Sequence, residues 1–297
     1  MKVLFLNGGS PDYLCDSIFH GFKTLFGENI IDYPKIDYMY DNYPPENVRP
    51  TYGRGFTLFR TLSDVNVDRN NIVEKINDKF FDLIVWGSIR RNRNYINDFS
   101  LFETNKCIAF DGEDDQYCDL TLSSAIPYFK RELKEINNSF LNHISFSFPE
   151  EKIKNTISTK TQTTATVIPG ILDTYKFHNE KDYYEDYQKS LFAFTWKKAG
   201  WDCLRHYEII FNNCIPIFLD LENCPVHTLT FLPKELLIEA KNLKGIKIIS
   251  ENSKPKIEID DDLFDMENYT KLLNAIFEES KNKLTTKAMV SYVLNKI

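Results

Sequence analysis

Short apolar runs recur along this chain, each followed by turn chemistry and then by a segment with helical spacing, and that alternation admits few folds. "KVLFLN" has the length of a strand, "GGSPD" is a turn, and Leu14, Ile18, Phe19, Phe22 and Leu25 then recur at helical spacing. "IVEKIND" followed by "FDLIVWGS" repeats the theme as helix then strand, and "KCIAFDG" adds an apolar run that ends in polar residues. Runs without polar alternation suit strands buried on both faces. Strands separated by helices pair in parallel through crossover connections.

The pattern restarts after "FPEEKIKNTISTKTQ", a Ser/Thr/Lys-rich stretch around residues 150 to 162. "TATVIPG" reads as a strand, "DYYEDYQ" as a helix, "SLFAFTW" as a strand, and "CIPIFLD" as a further strand after an intervening loop and helix. A chain of 297 residues is long enough for two cores. The expected organisation is α/β, with one domain over 1–152 and a second over 153–297.

A net charge of -7 argues against a general nucleic-acid groove while leaving room for a local basic pocket. No run approaches the roughly 18 apolar residues of a membrane span. The opening "MKVLFLN" is too short for the apolar region of a signal peptide and lacks its cleavage site, so the expected compartment is the cytoplasm. Cys15, Cys107, Cys118, Cys203, Cys214 and Cys224 show no paired spacing and read as reduced core thiols. His206 and Cys203 are the only neighbouring metal-ligand pair, and two ligands do not make a four-ligand site.

In open α/β sheets ligands gather beyond the carboxyl ends of the strands. The segment "KKAGWDCLRHYE" follows the strand "LFAFTW". A helix beginning near Asp202 as its N-cap would turn free amides and the positive end of its dipole to an anion. Lys197 and Lys198 precede that helix, Arg205 lies in its first turn, and Glu208 sits three residues further on the same face. A carboxylate only accepts, so beside a diphosphate its partners would be hydroxyls such as those of a ribose. The plainer alternative is that Arg205 and Glu208 pair on a surface helix, worth only about 0.2–0.5 kcal/mol.

"KKAGWDCLRHYEIIFNNCIPIFLD" resembles the donor-binding motif of GT-B glycosyltransferases, and is most similar to the exostosin-like branch and its spore-coat-type bacterial relatives. The resemblance implies a GT-B-like pair of Rossmann-like domains with an inter-domain cleft, the first on the acceptor side and the second binding a nucleotide sugar. It implies Glu208 on the nucleotide ribose and Arg205 with Lys197 or Lys198 on the diphosphate. The reaction expected is transfer of a sugar from a nucleotide-sugar co-substrate to a glycan or other hydroxyl acceptor, without a metal. Gly8, Gly9, Asp12 and Asp16 of "NGGSPDYLCD" would face the cleft.

An inverting enzyme also needs a base, and Asp12, Asp16, His20 or Asp114 would serve. Asp114 belongs to "DGEDD", which reads either as a solvated turn or as a carboxylate cluster able to hold a cation or a base. Lys130 and Arg131 of "YFKREL" read as surface charge, with a diphosphate or acceptor contact as the alternative, and "YGRGFTLF" around Arg54 as a loop. Two rival functions stay open: a nucleotide- or sugar-binding module without catalysis, and a nucleic-acid base glycosyltransferase, against which the acidity counts.

Overall fold

Six short strands, three of them four- or five-residue apolar runs, line up as one parallel sheet. The computed structural model describes residues 1–48, 52–92, 106–251 and 254–297. Its first unit comprises Met1–Glu150, Pro225–Thr230 and Thr285–Ile297, and its second Glu151–Cys224 and Phe231–Leu284. In the first unit β1 (Val3–Leu6), α1 (Tyr13–Phe26), β2 (Ile30–Tyr33), α2 (Ile72–Asn77), β3 (Leu83–Trp86), β4 (Cys107–Asp111), the single turn α3 (Leu120–Ser123), β5 (Tyr128–Lys130) and β6 (Leu141–His143) follow one another. The strands lie in the order β2-β1-β3-β4-β5-β6, a Rossmann-like sheet. Every residue of β1, β3 and β4 is buried, which is why these runs carry no polar alternation.

Alternate side chains serve opposite faces of the sheet. Leu4, Leu6, Ile84, Trp86, Cys107 and Ala109 form one core with Ile72 and Ile76 of α2 and Leu122 of α3. On the other face Phe5 meets Phe19 of α1 with ring centroids 5.1 Å apart. Helix α1 starts where the Asp12 side chain accepts from the amides of Leu14 and Cys15, a cap worth about 1 kcal/mol. From β1 the chain moves outward to β2, then returns across β1 to β3. That reversal opens a crevice at the carboxyl ends of β1 and β3.

The second unit holds β7 (Gln162–Thr164), α4 (Glu180–Lys189), β8 (Ser190–Thr195), α5 (Leu204–Phe211), β9 (Ile215–Phe218), α6 (Lys234–Lys241), a hairpin of β10 (Ile246–Glu251) and β11 (Lys254–Ile259), and α7 (Met266–Lys283). The strands β7, β8 and β9 make a smaller parallel sheet in that order. "TATVIPG" is not the strand its composition predicts. The strand ends at Thr164 because the Asp186 carboxylate takes the Thr166 amide at 2.7 Å and its hydroxyl at 2.8 Å, in place of a ladder partner.

The chain then re-enters the first unit as α8 (Thr286–Leu294). Residues 285–297, expected in the second domain, therefore belong to the first. The apolar Met289, Val290 and Val293 of α8 are fully buried. The Thr286 amide donates to the Phe148 carbonyl at 3.0 Å, and Tyr292 sets its ring against Phe129 of the large sheet at 6.3 Å.

Candidate functional site

At the carboxyl edge of the smaller sheet, the loop after β8 is tied down by His206. Its Nδ1 lies 2.9 Å from the Thr195 hydroxyl and its Nε2 2.9 Å from the Trp201 carbonyl. A carbonyl only accepts, so Nε2 carries the proton and Nδ1 accepts from Thr195. The buried imidazole thus joins the end of β8, the loop and α5. Asp202 is not the N-cap that the sequence suggested. Its carboxylate accepts from the Tyr207 phenol at 2.7 Å, and the cap position falls to Cys203, which makes no side-chain cap hydrogen bond.

Arg205 leaves the first turn of α5 and meets the loop that follows β7. Its guanidinium carbon sits 5.4 Å from the Tyr175 ring centroid, and Nη2 is 3.4 Å from the Tyr175 hydroxyl oxygen. The same oxygen accepts from the Gly170 amide at 3.1 Å. The Arg205 Nε is buried and has no hydrogen-bond partner. One helical turn on, the carboxylate of Glu208 is buried as well, and its Oε2 accepts from the Tyr183 phenol of α4 at 2.8 Å. A buried donor left unmatched beside a buried carboxylate is what a polar ligand would complete.

Lys197 and Lys198 are both exposed. Lys197 donates its amide to Asp220 at 3.2 Å and its ammonium to the Lys198 carbonyl at 3.4 Å, and leans over the Trp201 ring. The two lysines and Arg205 share a sheet edge but no partner. Tyr175 and Tyr183 carry no local signal in the sequence, because each reaches α5 from a different element.

The crevice of the larger sheet collects the remaining expected residues. Gly9 has a φ of 71°, a backbone conformation that favours glycine, and donates its amide to the Asn7 side chain at 2.8 Å. A β-carbon on Gly8 would lie 3.4 Å from that of Arg91. Asp12 is spent as the cap of α1 and also accepts from the Ser88 hydroxyl at 3.0 Å, with Arg91 3.7 Å away. Asp16 is fully buried. It accepts from the Tyr38 phenol at 2.7 Å and the Asp12 amide at 3.2 Å, and burial pushes its carboxyl well above the usual range. His20 is also buried, with Nδ1 2.9 Å from the Thr286 hydroxyl of α8. Neither Asp16 nor His20 reaches a substrate unless α1 moves.

The acidic turn after β4 is matched charge for charge. Asp111 pairs with Lys130 at 3.0 Å, Glu113 with Arg91 at 2.6 Å, Asp115 with Arg90 at 2.6 Å and Asp114 with Arg131. Lys130 and Arg131 are not the surface charges their sequence suggested. Both are buried, because parallel pairing sets Lys130 beside Asp111 while Arg131 also donates to the Gly112 carbonyl at 3.0 Å and to Glu132 at 2.8 Å. Each carboxylate of the turn has its own nearest cation, and among the described residues no group of three or more His, Cys, Asp or Glu side chains could hold a metal ion. Ser88, Arg90 and Arg91, which sequence reasoning passed over, had one available signal: they directly follow the buried run "LIVW".

Among the described residues no helix is long and apolar enough to cross a membrane. Comparison of the chain with protein-family models, curated proteins and solved structures finds no match.

Proposed function

We propose that this chain is a glycosyltransferase that takes its sugar from a nucleotide-sugar donor, with a GT-B arrangement of its two units and the donor bound at the start of α5. The observation that carries the reading is the buried, unpartnered Nε of Arg205 in the first turn of α5. A guanidinium can grip two phosphate oxygens with its planar fork, and the positive end of a helix dipole favours the same anion. Lys197 and Lys198, exposed on the loop before α5, add positive charge at the same sheet edge. As the bond to the sugar breaks, the leaving diphosphate gains charge, and fixed cations stabilise that charge most in the transition state. Glu208 is assigned to the ribose hydroxyls, and the acceptor, a glycan or another hydroxyl compound, to the first unit.

Calorimetry with ADP, GDP, CDP and UDP tests the reading. The Arg205→Ala variant is expected to bind the preferred diphosphate about 1.5–3 kcal/mol more weakly, and Arg205→Lys to recover part of that loss. If none of the four binds, or if Arg205→Ala binds as well as the unaltered protein, the reading fails. Transfer is expected to survive a chelator; loss that magnesium or manganese restores and Asp114→Asn abolishes would make the acidic turn the catalytic centre.

A second reading has an observation of its own. Of the four candidate bases, Asp16 and His20 are buried and Asp12 is occupied as a cap. A nucleotide- or sugar-binding module without catalysis needs none of them. Tight diphosphate binding with neither donor hydrolysis nor transfer would favour it.

A further inference from the structure

Glu208 does not stand alone. Tyr187 donates its phenol proton to the Tyr183 oxygen at 2.8 Å, and Tyr183 donates in turn to Glu208 Oε2 at 2.8 Å. The two phenols stand one turn apart on α4, their rings 4.9 Å apart, so a relay of two donors from one helix ends on the carboxylate of another. Both tyrosines are buried. We propose, building on the nucleotide reading above, that Tyr183, backed by Tyr187, is the positioning residue that aims Glu208 at a ribose diol and makes the site selective for ribonucleotides over 2′-deoxyribonucleotides.

The terminal torsion of a glutamate is broad and two-fold, so helix packing alone does not choose the plane of its carboxylate. A donor locked onto Oε2 does choose it. A carboxylate offers about four acceptor positions, and the one that Tyr183 takes fixes the plane of the group that a ribose diol would meet. Consecutive hydrogen bonds polarise one another, so Tyr187 strengthens the hold of Tyr183. Burial, with the Glu208 charge beside it, keeps the Tyr183 phenol well above its usual pKa, so it stays a donor across the working pH range.

The test uses the full chain and calorimetry, with whichever of ADP, GDP, CDP and UDP binds tightest and with its 2′-deoxy counterpart. The unaltered protein is expected to prefer the ribonucleotide by at least about tenfold, the scale of one hydrogen bond to a charged group. Tyr183→Phe keeps the ring and removes the donor. It is expected to weaken the ribonucleotide about tenfold and the deoxyribonucleotide less than about twofold, so that the preference collapses. A purely structural role would weaken both ligands alike. Tyr187→Phe is expected to lose about threefold of the preference, and it carries the test if Tyr183→Phe does not fold. A preference lost in Glu208→Ala but kept in Tyr183→Phe, or in Tyr187→Phe should the first not fold, overturns the positioning role and leaves the nucleotide reading standing. Unchanged affinity and preference in Glu208→Ala remove Glu208 from the site and overturn the proposal, whereas the nucleotide reading itself fails only if no diphosphate binds or Arg205→Ala binds normally.

Discussion

Replacing Gly21 by alanine sets two energies of opposite sign against each other. Gly21 lies inside α1, where alanine is better than glycine by about 1 kcal/mol in an isolated helix. In the folded chain the added β-carbon would stand 2.7 Å from the Val290 Cγ2 and 2.8 Å from the Thr286 carbonyl carbon, with the Thr286 carbonyl oxygen nearer still. Carbon atoms at rest are about 3.5–4.0 Å apart, so α8 would have to retreat by on the order of 1 Å. It is poorly placed to do so. Thr286 is pinned by its amide on the Phe148 carbonyl at 3.0 Å, and its hydroxyl lies 2.9 Å from His20 and 3.1 Å from Glu150. Overpacking of this kind typically costs about 1–3 kcal/mol, and more where backbone must shift. Because the contact is with backbone, the upper end of that cost applies. Set against the helix gain, it leaves an expected loss of about 2 kcal/mol for Gly21→Ala, read as a lower urea midpoint at unchanged slope by circular dichroism. Unchanged stability, or a gain near the 1 kcal/mol of helix propensity, would refute the close approach of α8 to α1.

Two further perturbations test other parts of the first unit. Burial, with added repulsion from His227 and Lys296, holds the His143 imidazole down at about 4, while its ordinary value is about 6.5. The unfolded chain therefore binds a proton that the folded chain refuses. Stability is full above about pH 6.5 and is lost as pH falls toward 4, by on the order of 2 kcal/mol once partial exposure is discounted. His143→Phe keeps a ring against Tyr292 and should flatten that slope in urea titrations between pH 7 and 4; an unaltered slope would assign the loss to other groups. Asp111→Ala takes the nearest carboxylate from the fully buried Lys130 ammonium, leaving Asp115 at 3.8 Å, and orphans the Tyr128 phenol. It should cost about 3–5 kcal/mol, part of it regained when Lys130→Met is added. A loss below about 1 kcal/mol would mean that water already solvates the pair.

How far the fold was legible depended on the range over which each signal acts. The continuous apolar runs of β1, β3, β4, β8 and β9 could be read directly, since burial on both faces leaves no other composition available. The strand β5 could not, because "YFK" is three residues long and its lysine looks like surface charge until Asp111 is brought beside it. The placement of Arg205 and Glu208 three residues apart on one helix was likewise legible from spacing. The N-cap of that helix was not. Asp202 has the right chemistry for the position, and the Tyr207 phenol withdraws it.

By itself, then, the sequence determined what depends on a few neighbouring residues: the strand and helix periods, the parallel α/β class they imply, and the concentration of charge in turns at the carboxyl ends of strands. Tertiary structure alone decided which charges meet. Parallel register sets Asp111 against Lys130, the β1–β3 crevice brings Arg91 to Asp12, and the packing of α4 on α5 delivers Tyr183 to Glu208. It also returned α8 to the first unit, where Gly21 leaves room for Thr286 and Val290. The physical reason is that a carboxylate or a phenol is chemically the same wherever it lies in the chain. Its partner is chosen by strand order and helix packing, which join residues 19, 25, 79 and 265 positions apart.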